Sequence, residues 1–406
     1  MPSADEPWTD PAHHVSGPCP LCDDPVEDAV VVGMQARFGM SVRNVACRRC
    51  GLVRVDPRPT PEAMDAYYRG PYRAQYRTVK LPTGRGTFVG PDDPGYLEAR
   101  RERYQQQAQI APRLGGPAPG ARVLEVGCRD AQTLLAMREL GGVEVYGVEP
   151  GPEEAAEAQA RGVDVFVGLL EELTLGPGGS APGFPEAFDQ VQMFHVLEHL
   201  HEPLAALSHL GSWLRPGGRL ILEVPNVTHP YGPLEANFFQ NAHLTSFSAN
   251  TLSAMLHRAG LAPIRVVDAG TLYVVAERPR HEVTAPLPLP FIDPMLHDRR
   301  QTGRWVAERL DTYRLLERAK QTILQGKVSM DQLVTTSYLL QRPAFTDHLI
   351  ATLRGLVLGL RRRGAPRAAL TLLRAAAQGP HPSRVAVTCA ELAREAVSAT
   401  PVPEPA

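Results

Sequence analysis

Between residues 119 and 280, short apolar runs ("RVLEVG", "EVYGVEP", "VDVFVG", "FDQVQMF", "RLILEVPN", "IRVVDAG", "TLYVVAERP") alternate with stretches whose apolar residues recur at helical spacing. Runs of this length suit strands buried on both faces, and their alternation with helices predicts parallel β-α-β units covered on both sides. The expected fold class is α/β with a doubly wound sheet. From 285 to 400 the pattern turns helical throughout: Leu353, Leu356, Val357 and Leu360 share a face, Ser329 with Gln332 fits a capping box, and "RRRGAPRAAL" sets a glycine stop before a proline start. That segment is expected to form a C-terminal domain of helical hairpins, loosely repeat-like.

Upstream, "AVVVGM" and "SVRNVAC" are candidate strands and "TPEAMDAYY" a short helix, together making a module over 1–70. A segment rich in Gly, Pro, Tyr and Arg follows from 71, a linker or lid, and runs into the helix "YLEARRERYQQQAQIAPRL" before a boundary near 118.

The run "VLEVGCRDAQTLLAM" (123–137) begins as a strand and ends as a helix. Such a turn presents free backbone N–H groups and the positive end of a helix dipole, where polar cofactor groups bind. Of the glycines such loops often carry, Gly127 is present, while Arg129 and Ala131 stand at two further positions. At the end of the next strand, Glu149 is placed to accept hydrogen bonds from ribose hydroxyls, unless it only caps the following helix.

Four of the six cysteines form two C-x-x-C pairs, Cys19 with Cys22 and Cys47 with Cys50. Two such knuckles supply four soft ligands for a tetrahedral, closed and therefore structural Zn2+ ion. Two disulfides or free thiols are the competing reading. His13 and His14 are read as solvated, Cys128 and Cys389 as small buried hydrophobes.

A net charge of −2 over 406 residues argues against nucleic acid as a partner. No apolar run reaches the roughly 18 residues that span a bilayer, and the acidic start is unlike a secretory signal, so no membrane partner is expected and the cytoplasm is the expected location. The helical tail could serve a protein partner.

"VLEVGC", "GVEP", "FDQVQMFHVLEHLHEP", "LRPGGRLILEVPN" and "HLTSFSANTLSAMLHRAGL" occur in the order and spacing of the class I S-adenosylmethionine-dependent methyltransferases, which this stretch resembles. The resemblance implies a Rossmann-like fold and S-adenosyl-L-methionine as cofactor. It implies that Glu125 and Gly127 line the methionine part, that Glu149 holds the ribose, that Pro150 touches the adenine, and that His195 faces the reaction centre. Where a carboxylate often meets the adenine amine, Glu171 is the substitute, or Leu169 and Leu170 pack on the ring instead. Arg129 is either a solvated side chain or, the reading favoured here, a bidentate partner for the cofactor's carboxylate.

A base is needed if the acceptor is not already nucleophilic, and His243 and His195, both after strand ends, are the candidates. Either could instead be a structural hydrogen-bonder. His199 and His201 are expected on a helix surface. An N-terminal four-cysteine module before such a domain is similar to the sugar C-methyltransferases of natural-product pathways. Of the His-Glu-His signature there, only His243 is matched here; Asn241 and Ala242 replace the other two. The expected function is methyl transfer to a small-molecule acceptor, a sugar or secondary metabolite. The alternatives are an RNA methyltransferase using Arg43, Arg48, Arg49, Arg54 and Arg58 as a basic patch, and a non-catalytic interaction protein.

Overall fold

The computed structural model describes residues 10–36, 40–69, 81–82, 88–89, 94–113, 117–175, 188–268, 270–280, 302–325, 329–342, 344–362, 364–379, 381 and 383–397. The chain forms two compact units. One comprises Met1–Val26, Arg54–Asn226 and Ala242–His297; the other comprises Glu27–Val53, Val227–Asn241 and Asp298–Ala406.

The first unit carries, in chain order, α1 (Pro61–Arg69), α2 (Pro94–Arg113), β1 (Arg122–Val126), α3 (Gln132–Gly141), β2 (Glu144–Glu149), α4 (Pro152–Ala160), β3 (Asp164–Val167), α5 (Leu170–Leu175), β4 (Phe188–Phe194), α6 (Pro203–Trp213), β5 (Leu214–Pro225), α7 (Ala249–Arg258), β6 (Ala262–Asp268) and β7 (Thr271–Glu277). All seven apolar runs are strands of one sheet, ordered β3-β2-β1-β4-β5-β7-β6. The first five are parallel, each joined to the next through a helix, as the alternation requires.

The sheet is mixed rather than wholly parallel, because β7 runs antiparallel to both β5 and β6. Too few residues separate Asp268 from Thr271 for a crossover helix, so β6 and β7 must form a hairpin. The core beneath α3 and α4 is built from Val123, Leu134, Met137, Val145, Ala155 and Val165. The order of β1 reverses from β2 to β4, and the crevice outside the carboxyl ends of these strands is where open α/β sheets bind ligands.

The second unit joins a hairpin of strands Val30–Gln35 and Ser41–Ala46 to helices α8 (Thr302–Gln325), α9 (Met330–Leu339), α10 (Thr346–Arg362), α11 (Pro366–Ala377) and α12 (Ser383–Val397). Val32, Ala46 and Val53 share a core with Val306, Leu310, Tyr313 and Phe345. Leu353, Leu356, Val357 and Leu360 fill the core of the helices. Ser329 and Gln332 form the capping box of α9, and Pro366 opens α11. No helix among the described residues is long and apolar enough to cross a membrane.

His348 on α10 gives this unit a pH dependence. Its ring lies 4.1 Å from that of Tyr313, centroid to centroid, and its Nε2 is 3.2 Å from Thr352 Oγ1. Burial, with repulsion from Lys320 and His229, pushes its pKa down to about 3; Glu317, 3.6 Å away, does not offset this. A histidine depressed on folding binds fewer protons when folded than unfolded, so its stabilising share is full above its unfolded pKa of about 6.5 and is lost as pH falls toward the folded value. Denaturant midpoints of wild type are expected to fall more steeply between about pH 7 and pH 4 than those of His348→Gln. Parallel pH profiles would count against this.

Candidate active site

Four strand ends build the site. At the end of β1, Gly127 takes a φ of +74°, and a Cβ there would come 2.5 Å from Val196 Cγ2, so only glycine fits. Arg129 and Ala131 occupy the same left-handed region, with φ of +52° and +58°. The loop takes a left-handed backbone at three positions, only one of which is a glycine.

A left-handed non-glycine residue costs roughly 1–2 kcal/mol, and the side chain of Arg129 is exposed. Arg129→Gly removes that strain, at the cost of the guanidinium's attraction for Glu149 and of a freer unfolded chain. It is expected to raise unfolding free energy by roughly 0.5–1 kcal/mol while weakening binding of any anionic cofactor group that the guanidinium holds. A lower denaturation midpoint would refute the strain argument.

Glu149 at the end of β2 ties two loops together. Its Oε2 accepts from Arg129 N at 2.9 Å and its Oε1 from Gly151 N at 2.8 Å. It therefore does more than cap α4. Burial raises its pKa, and the two N–H donors oppose the rise. Pro150 follows it, half-buried. Glu125 is the register partner of Gln192 on β4 and accepts from the Gln192 amide at 2.9 Å. Gln192 in turn accepts from Gln190 at 2.7 Å. Burial pushes Glu125 up to about 8, and the carboxylates of Asp130, Glu149 and Glu223 add to the rise. The β1–β2 end is thus an acidic, desolvated site with room in its chemistry for a cation.

Beyond β3, the backbone of Glu171 lies in α5, and its side chain lies outside the described residues. Leu170 is buried, and Glu172 Oε2 accepts from Leu169 N at 2.9 Å, so Glu172 serves as the local cap.

His195, just after β4, has a φ of +56° and is held at both ring nitrogens: Nδ1 lies 3.1 Å from Glu198 Oε1 and Nε2 3.1 Å from Glu223 Oε1. Burial works against its charged form, but the hydrogen bonds to these two carboxylates prevail and raise its pKa to about 9. Glu223 on β5 is a hub that the sequence did not single out. It accepts from Gln107 Nε2 at 2.6 Å, from Tyr273 Oη at 3.2 Å and from Arg103 at 3.5 Å. Arg103 and Gln107 stand one turn apart on α2, and Tyr273 is the register partner of Glu223 on β7.

His199 departs from the expected helix surface. It ends a single 3₁₀ turn, Leu197–His199, its side chain is largely buried, and its Nδ1 lies 3.0 Å from Tyr68 Oη on α1. The ring of buried His243 stacks edge-on against it, with centroids 4.8 Å apart. His201 contacts Glu202 at 3.2 Å. Of the proposed basic patch, Arg54 is buried and donates to Gly17 O, while Arg58 donates to His201 O and Glu202 Oε1, both at 2.8 Å.

Residues 96–266 match the model of a methyltransferase domain family. The chain is 31% identical over 194 residues to a tRNA U34 carboxymethyltransferase of Idiomarina loihiensis, covering 46% of this chain and 59% of that protein. It is 36% identical over 116 residues to a ubiquinone biosynthesis O-methyltransferase of Xanthomonas campestris, covering 27% and 45%. The match thus spans about half the length of these relatives. The solved structure of a Burkholderia thailandensis 1,6-didemethyltoxoflavin-N1-methyltransferase is similar at a TM-score of 0.42 and 19% identity, over 61% of this chain and all of that one.

The four cysteines of the N-terminal pairs form no disulfide, and one sulfur from each lies within 4.8 Å of the others. The two pairs fold alike. Asp23 N donates to Cys19 O and Gly51 N to Cys47 O, each at 2.9 Å; Cys19 N donates to Asp24 O at 2.9 Å and Cys47 N to Leu52 O at 2.8 Å. Asp23 and Gly51, each just after the second cysteine of its pair, share a left-handed φ of 60° and 77°. Four soft sulfur donors are a set that fits tetrahedral zinc.

Proposed function

We propose that this protein transfers a methyl group from S-adenosylmethionine to a small hydroxylated acceptor, a sugar or secondary metabolite, with a structural zinc ion in the cysteine cluster. The observation that carries the reading is the acidic end of β1 and β2, where buried Glu125 lies among Asp130, Glu149 and Glu223 and takes a hydrogen bond from the neutral amide of Gln192. Such a site favours a cation, and the cofactor carries two, a sulfonium and an ammonium. Bound there, it supplies an electrophilic methyl group.

The chain's residues do the rest. Each oxygen of Glu149 accepts one backbone N–H and keeps acceptor capacity for a ribose hydroxyl. Pro150 lies beside it for the adenine, Gly127 lets the cofactor's methionyl part approach the backbone, and Arg129 offers a cation to its carboxylate. His195 is a positioning residue here: with both nitrogens hydrogen-bonded, it fixes Glu198 and Glu223 rather than taking a proton. His243 is the group on the acceptor side. The sugar lead rests on that histidine before "LTSFS" together with the four-cysteine module.

A second reading, methylation of RNA, is favoured by the similarity to a tRNA-modifying relative. Against it stand Arg54 and Arg58, which are engaged within their own unit. Zinc-replete protein is to be incubated with methyl-labelled S-adenosylmethionine and, in parallel, a panel of nucleotide-linked sugars and hydroxylated metabolites or total tRNA. Label in a small acceptor is the expected result. Label confined to tRNA would establish the second reading, and cofactor binding without turnover on any acceptor would support a non-catalytic role.

A further inference from the structure

Glu198 is almost wholly buried, and its two oxygens differ. Oε1 is engaged by His195 Nδ1 at 3.1 Å, whereas Oε2, also buried, has no hydrogen-bond partner among the described residues. A buried carboxylate oxygen without a donor is costly, and such an atom in a native site asks for a ligand. His199 follows in the chain, with Nε2 4.0 Å from Glu198 Oε1 while its Nδ1 faces Tyr68 Oη at 3.0 Å. His243 stacks on His199, and one ligand atom from each of Glu198, His199 and His243 lies within 4.8 Å of the others.

We propose that Glu198, His199 and His243 bind one divalent first-row cation, at a site distinct from the cysteine cluster. Two imidazoles and one carboxylate form a borderline donor set that suits manganese, iron, cobalt or zinc, and three protein ligands leave positions for water or an oxygen ligand. The surroundings have the form of an outer shell. Tyr68 faces Nδ1 of His199, whose hydrogen bond to the Ala242 backbone an ion would replace, and His195 holds Oε1 of Glu198, leaving Oε2 for the ion, while Glu223 holds His195. Ligands at about 2.1 Å from an ion sit roughly 3.0–3.4 Å apart, so the three side chains close by about an ångström on binding. His243 is then a ligand, not a proton acceptor. The metal site stands without the methyltransferase reading; only the use of the open positions by an acceptor oxygen rests on it.

The test is to load the protein with one equivalent of Zn2+, which the four thiolates take first, and to titrate it with Mn2+ followed by electron paramagnetic resonance. Saturable binding of one Mn2+ per chain is expected, with affinity lowered at least about tenfold in Glu198→Gln and in His243→Gln, and by a similar factor in Tyr68→Phe. His257→Gln, on α7, is the control and should bind as wild type does. Absence of saturable Mn2+ binding by folded wild type, or affinities unchanged in both ligand variants, would overturn the site. S-adenosylhomocysteine binding, measured on the same samples by calorimetry, separates the two readings. Its loss in wild type defeats the methyltransferase reading and leaves the metal result standing.

Discussion

Glu149→Ala is expected to lower affinity for S-adenosylhomocysteine at least about a hundredfold, close to 2.7 kcal/mol. Hydrogen bonds from ribose hydroxyls to an ionised carboxylate are each worth roughly 1.5–3 kcal/mol, so losing two suffices. The substitution also removes the acceptor for Arg129 N and Gly151 N, which loosens the loop that must be set before the cofactor arrives. Stability should move much less than affinity. Burial is the largest influence on this carboxyl, and deleting it relieves that desolvation while leaving two N–H groups without their partner. Glu149→Gln, which keeps one carbonyl acceptor, should fall between alanine and wild type. Calorimetric titration with the demethylated product checks this, since the product is not consumed. Binding of Glu149→Ala within threefold of wild type would show that the ribose is held elsewhere.

That the place of Glu149 at a strand end was legible in the sequence, and the contacts of Glu223 were not, follows from what each position depends on. Glu149 ends an apolar run at a set distance past a strand-to-helix turn, and chain order alone places it at the crevice. Glu223 also ends a run, but its role comes from register. Only the pairing of β5 with β7 sets Tyr273 beside it, and only the packing of α2 brings Arg103 and Gln107 to it. Gln190 and Gln192 look like breaks in an apolar run, and become a buried relay to Glu125 once β4 lies beside β1.

The seven strands were legible because branched apolar runs bounded by glycine and proline leave little choice. The antiparallel β7 was also latent in the short link after Asp268. His199 was misplaced because "HVLEHLHEP" has the look of a helix start, whereas the chain makes one 3₁₀ turn there and reaches a true helix only at Pro203. Arg129 and Ala131 carry a different lesson. Their identities suggested a degraded loop, yet both take a left-handed backbone and bear its strain.

Cys47→Ser should have the largest effect on folding. The thiolates of Cys19, Cys22, Cys47 and Cys50 converge from two turns whose hydrogen bonds match one for one, and like-charged thiolates gathered this closely repel unless a cation sits among them. A structural zinc ion returns roughly 10–16 kcal/mol of binding free energy to folding in small zinc domains, so even a modest fraction of that exceeds the strain or capping effects considered above. Serine is a poor zinc ligand at neutral pH, and Cys47 is buried, so water cannot readily take its place. Wild type is expected to carry about one zinc per chain by atomic absorption, to lose it to a strong chelator, and to unfold at a lower temperature afterwards. Cys47→Ser should contain little zinc and match the chelated wild type in unfolding. The competing explanation, two disulfides, predicts the opposite response. The thermal midpoint would then be insensitive to chelator and would fall with a thiol reductant. A zinc-free wild type with an unchanged midpoint would remove the metal from the fold and leave the paired turns to be held by backbone hydrogen bonds alone.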